Sequence, residues 1–430
     1  MPKASRASKH NMIDLKQFRE NTKFFREAAL AKNVEIDVDR ILDLDRRARS
    51  LKAELDAIKA QKNEASKDIP KASDEDRKTI IESMRHLDRK AETMESEYTP
   101  IAEELSELLY KIPNPALPDV KIGKSDAENE VLREVGEKPV FAFTPKDHLT
   151  LGESLGLVDV ERARNASGAR FDYFIGDGVR LQMALTSYAL AVTMQHGFVP
   201  VIPPHLVTAK AMRAMGYLEH GGHDEIYYLA KDNLYLIGTS EQSIGPMHMD
   251  EIIEADKLPL RYVGISPCYR REAGSYGKDT KGLIRMHQFD KVEMFTFCAP
   301  DRSVEEHALT LEIEESLVRG LGLPYHVLNI VSGDLGLPAA KKWDIEVWFP
   351  TQERYRETHS TSNCTDFQAR RLNTRVRTED GTAFVHTTNG TAFAMGRIMA
   401  AILENNQNED GSVNIPEVLR PFMGGQARLG

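Results

Sequence analysis

Tyr269-Arg-Arg-Glu272, then Gly274-Ser-Tyr-Gly-Lys-Asp-Thr-Lys-Gly-Leu-Ile-Arg-Met-His-Gln-Phe289, then Lys291-Val-Glu293 is the densest charged and glycine-rich stretch of this 430-residue chain. The residues before it, Tyr262 to Pro267, read as a strand, and continuing its alternation puts Arg270 and Glu272 on one face. The residues after it, Gln288 to Phe297, read as a second strand that carries Phe289 and Glu293. The spacing predicts a hairpin presenting a guanidinium, an aromatic ring and carboxylates around a glycine-rich loop. Arginine suits bidentate phosphate binding and an aromatic face suits a purine. A surface hairpin laced with salt bridges uses the same residues, and on this stretch alone both readings stand.

Further short β-like runs lie at Tyr227 to Leu229, Leu234 to Ile237, Tyr325 to Val331, Trp343 to Phe349 and Ala383 to Thr388. Several alternate in polarity, as half-buried antiparallel strands do. Arg180 to His196 has helical spacing. A regular βαβ rhythm and a G-x-x-x-x-G-K-[ST] loop are both absent, which argues against a doubly wound sheet or a P-loop. The expected class for this half is α+β.

The region Asp39 to Lys111 has a different character: no glycine, and apolar residues spaced three and four apart. One run is Ile41, Leu44, Ala48, Leu51, Leu55, Ile58; the other is Met84, Leu87, Ala91, Met94, Tyr98, Ile101, Leu105, Leu108. This is a coiled-coil pattern. The short polar connection Ser66 to Asp74 forces the two helices to pair antiparallel, each about 45 Å long at 1.5 Å per residue. Pro100 predicts a kink or a restart with Thr99 as N-cap. The first helix, Arg40 to Lys67, has 8 basic and 5 acidic side chains; the second, Asp74 to Lys111, has 6 and 11. A basic helix on a rod suits a phosphate backbone, and a solvated coiled-coil face fits the same charges. Ile112-Pro-Asn-Pro-Ala-Leu-Pro-Asp119 reads as a linker.

The totals exclude several classes. A 41% hydrophobic share supports a large core, and no run approaches a membrane span. Three scattered cysteines, Cys268, Cys298 and Cys364, argue for a reducing compartment and against a disulfide framework or a structural zinc site. A net charge of -10 confines nucleic-acid contact to local basic patches. Met1 to Asn11 are basic without an apolar stretch, so they are read as an upstream start or appended remnant ahead of Met12, not a secretory signal. The expected location is the cytoplasm.

Taken with its flanks, the opening stretch resembles motif 2 of the class II aminoacyl-tRNA synthetases, in the wording of the seryl-tRNA synthetases. Gly197-Phe-Val-Pro-Val-Ile-Pro-Pro204 resembles motif 1, and Thr388-Asn-Gly-Thr-Ala-Phe-Ala-Met-Gly-Arg397 resembles motif 3. Thr239-Ser-Glu241 is similar to the family's serine loop. Asp366-Phe-Gln-Ala-Arg-Arg371, the tail Pro416 to Gly425 and the start Met12 to Asn21 are similar to family signatures. The resemblance spans Met12 to Gly425, and its specificity lies in the order of the pieces. It implies a class II antiparallel β-sheet flanked by helices, with an N-terminal antiparallel coiled-coil arm. The implied domains are residues 1–111 for tRNA binding (arm 39–111), a linker at 112–125 and a catalytic domain at 126–430.

The same resemblance implies a serine–tRNA ligase that forms seryl-adenylate from ATP and L-serine and then charges tRNA(Ser), with tRNA(Sec) left open, as a homodimer that binds no membrane. It makes Arg270 and Arg397 catalytic. It assigns ATP to Arg270, Glu272, Met286, Phe289, Glu357, Thr358, His359, Ser360 and Arg397. L-serine falls to Thr239, Ser240, Glu241, Arg270, Glu293, Asn389 and Thr391, and Mg²⁺ to Glu357 and Ser360, with no zinc. Residue by residue, plainer roles compete: Glu293 as a strand carboxylate, Asn389 and Thr391 as turn formers, Arg397 as a helix-start surface cation. The aligned motifs outweigh them. A paralogue that loads a carrier protein would lack the helical arm, and a non-catalytic relative would lack Arg270, Glu272, Glu357 and Arg397. Three departures stand out. Glu357-Thr-His-Ser-Thr-Ser-Asn363 replaces the usual E-[IV]-S-S-C-S-N, Thr391 replaces a common serine, and Arg271 stands where a small residue is usual and is expected to point away from the ATP face.

Overall fold

The structure, a computed structural model, describes residues 12–273 and 282–430. Most of the glycine-rich loop quoted above and the basic start, Met1 to Asn11, lie outside the described residues.

The chain divides into two compact units, one holding Ile13–Leu30 and Val34–Pro113, the other Ala31–Asn33 and Asn114–Gly430. In the first, α1 (Val38–Asp68) and α2 (Asp74–Tyr110) form the expected antiparallel hairpin. Asp37 caps α1 by accepting from the Arg40 amide, and Ser73 caps α2 by accepting from the Asp76 amide. Asp74, Glu75 and Asp76 then complement the helix dipole. Each of the fourteen apolar seam residues named above is buried or half-buried. Burial of such side chains, worth roughly 1.5–3 kcal/mol each when complete, holds the pair together. Arg40 pairs with Glu104 at 2.6 Å, and Lys62 pairs with Asp88 nearer the tip. The partner number falls as the first rises, as an antiparallel register requires.

Pro100 departs from expectation. α2 runs unbroken through it, and Thr99 does not cap: its hydroxyl donates back to the Glu95 carbonyl at 2.9 Å. Proline costs one backbone hydrogen bond, and the seam residues Ile101 and Leu105, both buried just beyond it, hold the helix in place. The connection is also shorter than read, since α1 continues to Asp68 and a 3₁₀ turn, Ile69–Lys71, carries Pro70.

In the second unit eight strands make one sheet. They are β1 (Glu130–Val135), β2 (Val199–Val201), β3 (Leu260–Tyr269), β4 (Gln288–Cys298), β5 (Tyr325–Asn329), β6 (Lys341–Phe349), β7 (Arg354–Thr365) and β8 (His386–Ala394). Their spatial order is β1-β5-β6-β7-β8-β4-β3-β2, antiparallel throughout except at the edge pair β2–β3. Four helices supply side chains to its core: α3 (His148–Ser154), α4 (Asp177–Gln195), α5 (Ser303–Gly320) and α6 (Met395–Asn405). That core lies on one face of the sheet, where Leu185 of α4, Leu317 of α5 and Ile398 of α6 meet Val292, Ile345 and Phe393. On the other face Phe295 and Phe297 of β4 join a second apolar cluster with Leu372 and Val385, with polar groups further along that strand. Among the described residues no helix is long and apolar enough to cross a membrane.

Candidate active site

β4 sets out the site by strict alternation. Val292 and Met294 enter the core, so Phe289, Lys291 and Glu293 share the opposite face. At the open end the Arg270 guanidinium lies 5.2 Å from the Phe289 ring centroid. Its Nε donates to the Gly238 carbonyl at 3.1 Å, and its amide donates to the His287 carbonyl at 2.9 Å.

Glu272 does not reach this face by strand alternation. β3 ends at Tyr269, and Glu272 adopts φ 51°, which turns the chain back. Its carboxylate meets Arg285 at 3.0 Å. Arg271 turns outward, as expected, over the Tyr227 ring. A cleft of about 500 Å³ is lined by Arg270, Glu272, Arg285, Met286, Phe289, Lys291, Glu357, Thr358, Thr391 and Arg397, among others.

At the inner end the groups are buried. Glu293 faces Thr391 directly across β4 and β8. A register shift brings them opposite: Val292 pairs with Phe393, Glu293 with Thr391, and Ala392 is skipped. The Lys291 ammonium pairs with Glu293 and donates to Thr239 Oγ1 at 3.3 Å. Tyr217 donates to Glu241, whose Oε2 is buried with no hydrogen-bond partner among the described residues. Burial first, then the charge of Glu293, pushes the Glu241 carboxyl up to about 7. Burial raises Glu293 too, against Lys291 and the Thr391 hydroxyl. Lys291 and Arg270 favour ionisation of both carboxyls, and burial outweighs them, which leaves room for a further cation.

A second register shift builds the other end. Opposite Ile345 and Glu346 of β6 stand His359 and Glu357 of β7, with Thr358 as the extra residue. Glu357 and Ser360, three apart, would face opposite sides of a regular strand; the extra residue puts them on the same side. Burial would raise Glu357, but Arg397, then Lys342, Arg270 and Lys291, hold it down to about 2. Its side chain is crowded by protein yet 45% exposed, because it faces the open cleft. Water there screens each attraction, so the low value rests on several cations rather than one. Arg397 meets this carboxylate at 3.3 Å and donates to the Glu357 carbonyl at 2.9 Å. The Ser360 hydroxyl donates to Asp344, whose carboxyl is pushed up to about 7 by burial, against Lys342, and then by Glu357.

The expected residues thus separate into groups. Arg270, Glu272, Met286, Phe289, Glu357, Thr358, Thr391 and Arg397 share the cleft, and Thr239 and Glu293 join it through Lys291. The His359 side chain turns away from the cleft. Its ring is buried, set edge-on to Phe393 on the helix-covered side, with Nδ1 2.8 Å from the Thr358 hydroxyl. Burial lowers its pKa to about 3. Ser240 packs against the backbone of Gly264, and the Asn389 amide lies 3.8 Å from the Cys364 sulfur, so neither reaches the cleft wall. The sequence motifs assign no role to Lys291, Arg285, Tyr217 or Asp344. Lys291 is within reach of the sequence, since it shares the alternation of Phe289 and Glu293. Nothing local marks Tyr217 or Asp344.

An open antiparallel sheet with arginines at one end of a cleft and buried carboxylates at the other is the catalytic unit of a class II aminoacyl-tRNA synthetase. Residues 227–406 match the family model described as the tRNA synthetase class II core domain (G, H, P, S and T). Residues 12–116 match the seryl-tRNA synthetase N-terminal domain. The serine–tRNA ligase of Thermobifida fusca is 46% identical over 416 residues, 96% of this chain and 98% of its own. That of Beutenbergia cavernae is 46% identical over 424 residues, 97% of this chain and 99% of its own. Seryl-tRNA synthetase from Pyrococcus horikoshii, crystallised with ATP, has the same fold with a TM-score of 0.86 at 36% identity, covering 97% of this chain and 99% of that one. The chain belongs to the seryl-tRNA synthetase family.

Proposed function

We propose that this chain joins L-serine to ATP, giving seryl-adenylate and pyrophosphate, and then passes serine to the 3′ end of tRNA(Ser). The observation that carries the reading is the division of one cleft. The nucleotide end has the Arg270–Phe289 pair with Glu357 and Arg397, and the amino-acid end has Lys291, Glu293 and Thr391 with Thr239 and Glu241 behind.

The serine carboxylate is ionised at neutral pH and needs no base. It attacks the α-phosphorus as pyrophosphate leaves with the bonding pair. Arg270 draws the α-phosphate and the carboxylate together, and Arg397 balances charge on the γ-phosphate. Phe289 stacks the adenine, Glu272 reads its amino group and Met286 packs beside it. Hard oxygen donors on one side of the strand fit Mg²⁺, so Glu357 and Ser360 would hold it. Bound there, the ion would supply neutralisation of phosphate charge. The terminal ribose hydroxyl of the tRNA then attacks the adenylate carbonyl, and AMP leaves.

At the other end the serine ammonium takes the place left for a further cation beside Glu241 and Thr239, and the serine hydroxyl bonds Glu293 and Thr391. Alanine and glycine would leave those groups unpaired. Residues 1–111 bind tRNA through the helical arm, whose α1 is the more basic helix; 112–125 are the linker and 126–430 catalyse. Edge strand β2 and the following Ile202 leave Val199 56% and Ile202 80% exposed, which suits a homodimer interface. We place the enzyme in the cytoplasm, with tRNA(Sec) as the second tRNA to test.

Pyrophosphate exchange with ATP and single amino acids tests the reading. Serine alone should support exchange; exchange with another amino acid, or none, overturns it.

A further inference from the structure

His148 lies outside the site described above, yet it is 5% exposed and fully bonded. Its Nδ1 is 2.7 Å from Glu404 Oε1, and its Nε2 is 3.2 Å from the backbone nitrogen of Leu283. An amide N–H can only donate, so Nε2 must offer its lone pair. The ring proton therefore sits on Nδ1 and is given to Glu404. Glu404 is itself completely buried and tightly held. It accepts from the His148 amide at 3.3 Å, the Thr351 amide at 3.2 Å and the Thr351 hydroxyl at 2.6 Å.

What the imidazole grips is the segment that enters the nucleotide end of the cleft. Gly282, at φ 90°, lies against it: a Cβ there would stand 2.2 Å from His148 Nε2. A Cβ on Gly396 would stand 2.4 Å from the Leu283 carbonyl, so this segment is clamped on both sides. The next carbonyl, Ile284, accepts from Arg397 Nε at 3.3 Å. Glu404 and Arg397 belong to the same helix, α6. The contacts form a closed circuit from Glu404 through His148 and Leu283–Ile284 back to Arg397.

We propose that His148, as the neutral Nδ1–H tautomer fixed by Glu404, is a positioning residue for ATP: it sets the place of residues 283–286 and, through the Ile284 carbonyl, the aim of the Arg397 guanidinium. This rests on the assignment of that end of the cleft to ATP. The sequence gives no warning of it, since His148, Leu283 and Glu404 are distant in the chain.

The test has two arms on the full-length protein. ¹⁵N NMR of histidine-labelled protein, assigned by the signal lost in His148→Asn, should show Nδ1 protonated and Nε2 bare. The opposite tautomer or an imidazolium at pH 7.5 overturns the proposal and needs no variant to be active. Titration calorimetry of His148→Ala should show ATP binding about tenfold weaker, with the KM for serine within about twofold of the parent. Unchanged ATP affinity, or ATP and serine weakened equally, overturns it; should His148→Ala not fold, the conservative His148→Gln takes its place under the same criteria. Failure of the parent to exchange pyrophosphate with serine, while still binding ATP, would count against the proposed reaction and not against the anchor.

Discussion

The Arg270 guanidinium stands over the ring of Phe289, 5.2 Å from its centroid, although Arg270 lies just beyond the end of β3 and Phe289 near the start of β4. The ring backs the cation at the mouth of the cleft, and the Gly238 carbonyl fixes its Nε. A planar, always-charged group with paired donors is thereby held in place for the phosphate contact proposed above.

Arg270→Ala should therefore lower serine-dependent pyrophosphate exchange by about 10³ or more, with the circular dichroism spectrum and melting temperature close to the parent. Arg270→Lys should recover little of the loss, because an ammonium neither stacks nor forks. Exchange at the parent rate in either variant would refute the assignment.

Glu293→Gln removes the charge that pairs with Lys291 and weakens the acceptor proposed for the serine hydroxyl. Serine kcat/KM should fall by about 10²–10³ while ATP affinity changes little. Calorimetry with ATP alone, beside exchange kinetics in serine, separates the two; a matching loss of ATP affinity is the contrary result.

Thr391→Ser keeps the hydroxyl opposite Glu293 and removes a methyl group from the wall of the cleft. Threonine should then be activated better relative to serine, by about tenfold, the scale of discrimination that one methyl provides. Exchange rates with the two amino acids give the ratio directly, and a ratio that stays put would mean the methyl does not face the substrate.

Glu241 couples the site to pH. Its folded-state value of about 7 lies above the ordinary carboxyl value of 4.5. The stability it contributes is thus fully present below about pH 4.5 and is lost as pH rises through about 7. Glu241→Gln should flatten the stability profile between these limits, measured by urea unfolding. An arriving ammonium favours the ionised carboxylate, so serine binding near pH 6 should release a proton. Calorimetry in buffers of different ionisation enthalpy would read that release.

Shortening the helical hairpin by removing residues 52–95 should leave serine-dependent exchange within about twofold and reduce charging of tRNA(Ser) by about 10². Parallel loss of both activities would place the arm's role elsewhere.

Much of this molecule can be read locally. The a/d seam from Ile41 to Leu108 specifies an antiparallel hairpin because each position needs only its neighbours three and four residues away. Period two likewise foretells that Phe289 and Glu293 share a face. The failures are also local rules, overruled by packing or by backbone turns. Seam burial carries α2 through Pro100, a positive φ redirects Glu272, and one extra residue in β7 sends His359 to the core side while aligning Glu357 with Ser360.

By itself, then, the order of residues determined the elements, their polar and apolar faces and the set of charged groups available for chemistry, because propensity and periodicity act over a few residues. Only the tertiary structure decided which of those groups meet: Lys291 with Thr239, Asp344 with Ser360, and His148 with both Leu283 and Glu404. Those meetings depend on sheet register and bulge position. Both are set by long-range pairing and by the demand that most buried polar groups find a partner.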